Sequence, residues 1–130
     1  MYKDPQKAKE YNREWSKKNA NKKNISAIKW AKNNPVQAWG YHIKSKYNLT
    51  LEQYNELLVK QGGVCAICFN PETTKDSKNG KPNQLSIDHD HATGKVRGLL
   101  CHKHNLALGG FGDSVLILES AKQYLIKHGK

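Results

Sequence analysis

Asp88-His89-Asp90-His91 sets two carboxylates and two imidazoles in four consecutive residues. Such density is uncommon in a surface strand, and the mixture is what phosphodiester hydrolysis requires. A base must take a proton from water, a cation must offset charge on the pentacovalent phosphate, and the leaving oxygen must be helped. Histidine can supply the first and a carboxylate-held Mg2+ the others. One more oxygen ligand completes such a site, and Asn105 can be that ligand.

Cys65-Ala66-Ile67-Cys68 and Cys101-His102-Lys103-His104 are two chelating pairs of x-x spacing, separated by 32 residues. Each spacing lets both side chains of a pair point at one tetrahedral ion, and three thiols with one imidazole suit structural zinc. His102 adjoins Cys101, so using it as fourth ligand in place of His104 would lose the x-x bite. Three cysteines are an odd number without secretory context, so metal binding or redox chemistry is favoured over a disulfide framework. A thioredoxin-like site would need a βαβ pattern around the Cys-x-x-Cys, and the sequence has none. Closing a zinc site over these residues would clamp a hairpin to the following helix and add binding free energy to folding. Because Asn105 follows His104, the same ion would hold the helix that presents the amide.

Cys65-x-x-Cys68, Ile87-Asp88-His89-Asp90-His91, Gly94-Lys95-Val96-Arg97-Gly98-Leu99-Leu100-Cys101 and Asn105 follow one another in an order that closely resembles the phage recombination endonuclease VII family, members of the ββα-metal (His-Me finger, HNH-like) nucleases. The resemblance covers about residues 62–110. It implies that Asp88 and Asn105 ligate one Mg2+ or Mn2+, that His89 is the general base activating water, that cleavage leaves 5′-phosphate and 3′-hydroxyl ends, and that zinc lies away from the reaction. The family usually has a fourth cysteine where this chain has His104, so a Cys3His site is expected, with zinc binding weaker or more sensitive to acid. The dozen residues beyond Leu118 leave less than the extended helical dimerisation region of the junction-resolving member, so junction specificity is not carried over. By strand alternation Asp90 shares a face with Asp88, and His91 with His89; either can support the reacting groups from one step behind or contact phosphate. Arg97 reads equally as a phosphate clamp or as a solvent-facing strand residue.

The elements that must position these residues can be read locally. Leu85 to His91 and Lys95 to Leu100 flank Ala92-Thr93-Gly94, a two-stranded hairpin with glycine in its turn. A short helix follows over about 102–108, and Ser114 caps a last one in which Leu118, Ala121 and Leu125 share a face, ending near His128-Gly129. Upstream, Thr50-Leu51-Glu52-Gln53 fits a capping box, with Leu49 stapling onto Tyr54; that helix carries Leu51, Tyr54, Leu57 and Leu58 inward and stops at Gly62-Gly63. Asn34-Pro35 opens a helix over roughly 35–47 in which Trp39, Ile43 and Tyr47 recur at helical spacing. Weak apolar stripes at Ala8, Tyr11, Trp15 and again at Ile25, Ile28 predict two short helices before it. Residues 70–83, rich in Lys, Asn, Gly, Pro, Thr and Ser, read as an exposed loop of variable conformation. With the resemblance, the expected fold is α+β: a basic helical DNA-binding arm over residues 1–48, then residues 49–130 as a zinc-stabilised ββα-metal core, with mainly helical flanks at both termini.

Charge identifies the partner class. Lys and Arg number 22 against 11 Asp and Glu, a net +11, and residues 1–35 alone carry +7. Lys3, Lys7, Lys9, Arg13, Lys17, Lys18, Lys22, Lys23, Lys29 and Lys32 can neutralise phosphates without reading bases. Trp15, Trp30 and Trp39 are read as packing anchors, not as base-stacking platforms. At 130 residues and 37% hydrophobic, the chain can bury only a modest core, which excludes a large multidomain enzyme. No apolar run approaches the ~18 residues that cross a bilayer, and Met1-Tyr2-Lys3-Asp4-Pro5 does not read as a signal peptide, so a cytoplasmic protein is expected, in a bacterial host if phage-encoded. Three functions stay open: a Mg2+- or Mn2+-dependent DNA endonuclease, a zinc-bearing DNA-binding module without catalysis, and a nuclease acting mainly on RNA. A homodimer is what a two-site cut on a branched substrate would call for, and the sequence leaves it open.

Overall fold

The structure, a computed structural model, describes residues 4–77 and 79–130, with only the backbone of Lys23; Lys3 and the Lys23 side chain, both expected to contact phosphate, lie outside the described residues. The chain divides into two compact units, one ending at Ile43 and one running from Lys44 to Lys130.

The first unit is built on one long helix, α1 (Pro5–Asn33), where two short ones are expected from the sequence. The residues between the two weak stripes contain neither proline nor glycine, so nothing interrupts the intrahelical ladder once it has nucleated. Asp4 accepts a hydrogen bond from the Gln6 N–H at 2.9 Å, and Pro5 occupies the first turn, where its missing N–H costs nothing. At 29 residues α1 is about 43 Å long. It ends because proline at 35 disfavours helical geometry at Asn34. The Asn34 backbone and side-chain amides both return to the Trp30 carbonyl at 2.9 Å, and the Asn34 carbonyl in turn accepts from Ala38 to open α2 (Pro35–Tyr47). Trp15 and Trp30 remain nearly half exposed, so of the three tryptophans only Trp39 is enclosed enough to anchor packing. Trp30 lies 5.8 Å from the Tyr41 ring.

In the second unit, α3 (Leu51–Lys60) starts with the expected reciprocal cap: Thr50 Oγ1 accepts from Gln53 N at 3.2 Å, and Gln53 Oε1 accepts from Thr50 N at 2.9 Å. It stops where the N–H of Gly62 reaches the Val59 carbonyl and that of Gly63 the Leu58 carbonyl, a Schellman closure with both glycines at positive φ. The hairpin pairs β1 (Ser86–His89) with β2 (Val96–Leu100), antiparallel, with Ser86 opposite Leu100. Both strands are shorter than the sequence suggests, since Asp90 and Lys95 already belong to the turn. There the Asp90 carboxylate accepts from the Ala92 and Thr93 amides, and Gly94 takes φ 71°. The ladder slips by one residue: Asp88 faces Gly98 while His89 faces Val96, so Arg97 is an extra, bulged residue.

After the hairpin come α4 (His102–Gly110) and α5 (Val115–Lys127), the latter capped by Ser114. Helix α3 packs on β2, and α4 on β1. The core between them is small: Tyr54, Leu85, Ile87, Leu99 and Leu100, closed by Cys65 and Cys101. Two polar residues stitch it. The Tyr54 hydroxyl donates to the Leu85 carbonyl at 2.9 Å. The Gln61 amide, carried on the Schellman turn, receives the Leu99 N–H at 2.9 Å and donates to the Leu99 carbonyl at 2.9 Å, standing in for a third strand beside β2. Segment 70–83 is more tied than its composition suggests, since the Asp76 N–H donates to the Lys81 carbonyl and the Asn83 N–H to the Thr74 carbonyl. No helix among the described residues is long and apolar enough to cross a membrane.

Candidate metal centre and adjoining cleft

Cys65 and Cys68 sit on a tight knuckle after α3. The Phe69 N–H returns to the Cys65 carbonyl, the Ile67 N–H points at Cys65 Sγ at 3.4 Å, and the Ala66 N–H ties the knuckle to the Leu99 carbonyl of β2. Cys101 is the N-cap of α4, so His104 lies one turn on and faces back toward it. His104 Nδ1 is 2.9 Å from Cys101 Sγ and 3.8 Å from Cys65 Sγ. The ligand atoms of Cys65, Cys68, Cys101 and His104 all fall within 4.8 Å of one another. A tetrahedral ion with bonds of ~2.3 Å to sulfur sets its ligand atoms about 3.8 Å apart, so this cluster can hold a metal such as zinc. Burial pushes the Cys65 thiol up, but N–H groups of Cys68, Cys101 and Ile67 and the nearby His104 ring outweigh it and bring the thiol down to about 6. Cys101 moves the other way, raised first by burial and then by the neighbouring Cys65 sulfur. A metal bound here would take each cysteine as a thiolate, so binding would release protons and weaken in acid. His102 lies outside the cluster, exposed, and its backbone N–H is taken by the Glu72 carboxylate. Glu72 also receives the Thr73 and Thr74 amides, which holds its carboxyl below the usual range against the opposing effect of burial. It thereby anchors segment 70–83 to the start of α4.

A cleft of about 420 Å³ opens between β1 and α4. Asp88, His89 and His91 line it from β1 and the turn, Asn105 and Leu106 from α4, Asp113 from the turn after α4, and Tyr47 and Lys46 from the end of α2. Asn105 follows His104 by about 100° of helix rotation, which explains how one turn of α4 serves both places. The His89 ring meets the Tyr47 ring edge-on at 5.2 Å and the His91 ring at 4.7 Å. Asp88 is 8% exposed. Arg97 grips it with two hydrogen bonds, from Nε to Oδ2 at 2.7 Å and from Nη2 to Oδ1 at 2.8 Å. These bonds hold the guanidinium firmly protonated. Both Asp88 oxygens are thus engaged by Arg97, and Asn105 lines the same cleft from α4.

The structure thus brings Asp88, His89, His91 and Asn105 to one cleft and the four soft donors to one cluster. It takes Asp90 elsewhere: the strand ends at His89, alternation ends with it, and the Asp90 carboxylate is spent on the turn. Arg97 faces two carboxylates while its side chain stays partly in solvent. Asp113 is the cleft residue that sequence reasoning missed. Its Oδ2 meets His91 Nδ1 at 3.1 Å and Arg97 Nη2 at 3.3 Å, and the His91 contact first, then Arg97, holds its carboxyl below the usual range. The available signal was Gly112 before it: the Asp113 N–H closes α4 onto the Leu108 carbonyl, the same Schellman arrangement that ends α3.

A two-stranded hairpin with flanking helices, a Cys3His cluster that could hold a metal and a separate cleft lined by Asp88, His89, His91 and Asn105 define an α+β domain. Residues 40–127 match the sequence model of the recombination endonuclease VII family. The Gene 59 protein of Mycobacterium phage D29 is 42% identical over 91 residues, covering 69% of this chain and 51% of that protein. The Gene 59 protein of Mycobacterium phage L5 is 39% identical over 90 residues, covering 68% and 51%. The chain spans about half the length of the curated relatives it matches. No solved structure matches it. The chain belongs to the recombination endonuclease VII family.

Proposed function

We propose that this protein is a metal-dependent DNA endonuclease of the ββα-metal (His-Me finger, HNH-like) type. The observation that carries the reading is that Asp88, His89 and Asn105, supplied by β1 and α4, line one cleft inside the segment that matches an endonuclease family. In this reading His89, steadied by the Tyr47 edge, takes a proton from water as its oxygen bonds to phosphorus. The bond from phosphorus to the 3′ oxygen breaks, and that oxygen takes up a proton from solvent water, leaving 5′-phosphate and 3′-hydroxyl ends. Asp88 and Asn105 would hold Mg2+ or Mn2+, which when bound supplies positive charge for the phosphate and the leaving oxygen. Zinc on Cys65, Cys68, Cys101 and His104 is scaffold, holding α4 against the hairpin. Residues 1–48 act as the DNA-binding arm, with lysines around α1 neutralising phosphates, and residues 49–130 as the nuclease domain, working in the cytoplasm of an infected bacterial host.

The test is supercoiled plasmid incubated with the zinc-loaded protein and Mg2+ or Mn2+, beside His89→Ala. Nicked or linear product from the wild type and a loss of about 100-fold or more in the variant is expected. Equal activity in both removes His89 as base. Two inert proteins that still bind duplex with steep salt dependence establish the non-catalytic DNA-binding module instead. RNA digested faster than DNA in the same assay reassigns the substrate.

A further inference from the structure

The carboxylate assigned to the divalent cation is already occupied by a cation of the protein's own. Arg97 closes its fork on both oxygens of Asp88, and its Nη2 also lies 3.3 Å from Asp113 Oδ2. The strand bulge explains the placement, since Arg97 is the residue the ladder skips. A guanidinium cannot shed its proton to make way for a metal ion. A divalent ion approaching Asp88 must therefore share the carboxylate with a like charge or displace it. Displacement is open to Arg97, because its side chain is 36% exposed, whereas that of Asp88 is only 11% exposed. An alternative acceptor stands beside it in Asp113, which the turn after α4 and the His91 contact hold in place.

We propose that Arg97 is a resident counter-cation that competes with the divalent ion for Asp88, and that Asp113 is a positioning residue that receives the displaced guanidinium at the cleft edge. The pair sets how much metal the site needs. This inference rests on the reading of Asp88 as metal ligand.

The experiment is calorimetric titration of Mn2+ into the zinc-loaded full chain, with zinc content and circular dichroism checked for every variant. Arg97→Met is expected to bind Mn2+ about tenfold more tightly, an ordinary size for coupling between two ligands. Arg97→Lys, which keeps the charge and loses the fork, falls between Met and wild type and serves if the Met variant does not fold. Asp113→Asn weakens Mn2+ binding severalfold, and that effect vanishes in the Arg97→Met background, because Asp113 acts through Arg97. Affinity unchanged or weakened in both Arg97 variants overturns the counter-cation role. Asp88→Asn separates the two ideas. If it binds Mn2+ like wild type, the ligand assignment fails and this inference with it. If it abolishes binding while the Arg97 variants change nothing, only the counter-cation role fails.

Discussion

The Cys65, Cys68, Cys101, His104 cluster and the Asp88, His89, Asn105 cleft share helix α4, yet they are built in opposite ways. The soft cluster is convergent: its four donors come from the knuckle and the first turn of α4, Cys65 and Cys101 are buried, and all four ligand atoms face one point. The cleft is divergent and open. Its donors come from a strand, a helix and a turn, and its acid is held by an arginine that reaches solvent. A closed set of ligands suits an ion that stays and carries folding free energy. An open one with a movable counter-charge suits an ion that must meet a substrate.

The widest separation between the two is expected on removing metal from the soft cluster. Chelation of zinc, or Cys101→Ser, should abolish the cooperative unfolding transition, since structural zinc is worth on the order of 10 kcal/mol and the core is small. A chelated protein that still melts cooperatively would make the cluster dispensable. The converse is Asp88→Asn, expected to lower cleavage by about 100-fold or more with zinc content unchanged. Loss of zinc in that variant would mean that the two places are not independent.

Gln61→Ala probes what they share. It strips both the acceptor and the donor from Leu99 and is expected to cost about 1–3 kcal/mol in denaturant unfolding. A loss below about 0.5 kcal/mol would show that water replaces the amide and that β2 needs no third partner. The smallest effect is Tyr54→Phe, about 1 kcal/mol for the lost bond to Leu85. Burial raises the Tyr54 hydroxyl from 10 to about 12. A folded value above the unfolded one contributes stability that is complete below pH 10 and is lost as pH rises through 12. Wild type should therefore lose stability across pH 10–12 more steeply than the Phe variant in alkaline melts, and parallel curves would refute the assignment.

How much of this was legible depends on the reach of each interaction. The Thr50–Gln53 capping box, the Gly62-Gly63 stop and the glycine of the hairpin turn are contacts between near neighbours, and each is present. Two x-x spaced pairs indicated the soft cluster for the same reason. Helix α1 runs through both weak stripes because no proline or glycine separates them, a continuity that apolar spacing does not encode. The partners of Gln61, Glu72 and Asp113 were not legible, since each lies 16 to 38 residues away; Gly112 marks the turn that carries Asp113 but not the residues it meets.

The sequence alone determined which donors exist and which neighbours could chelate together, because ligand chemistry and helical or hairpin spacing are properties of a few adjacent residues. Tertiary structure decided what each charge meets. The strand bulge turned Arg97 onto Asp88, and the closing turn of α4 brought Asp113 beside both Arg97 and His91. A charge's partner depends on distances across the fold, and those exist only once the chain has packed.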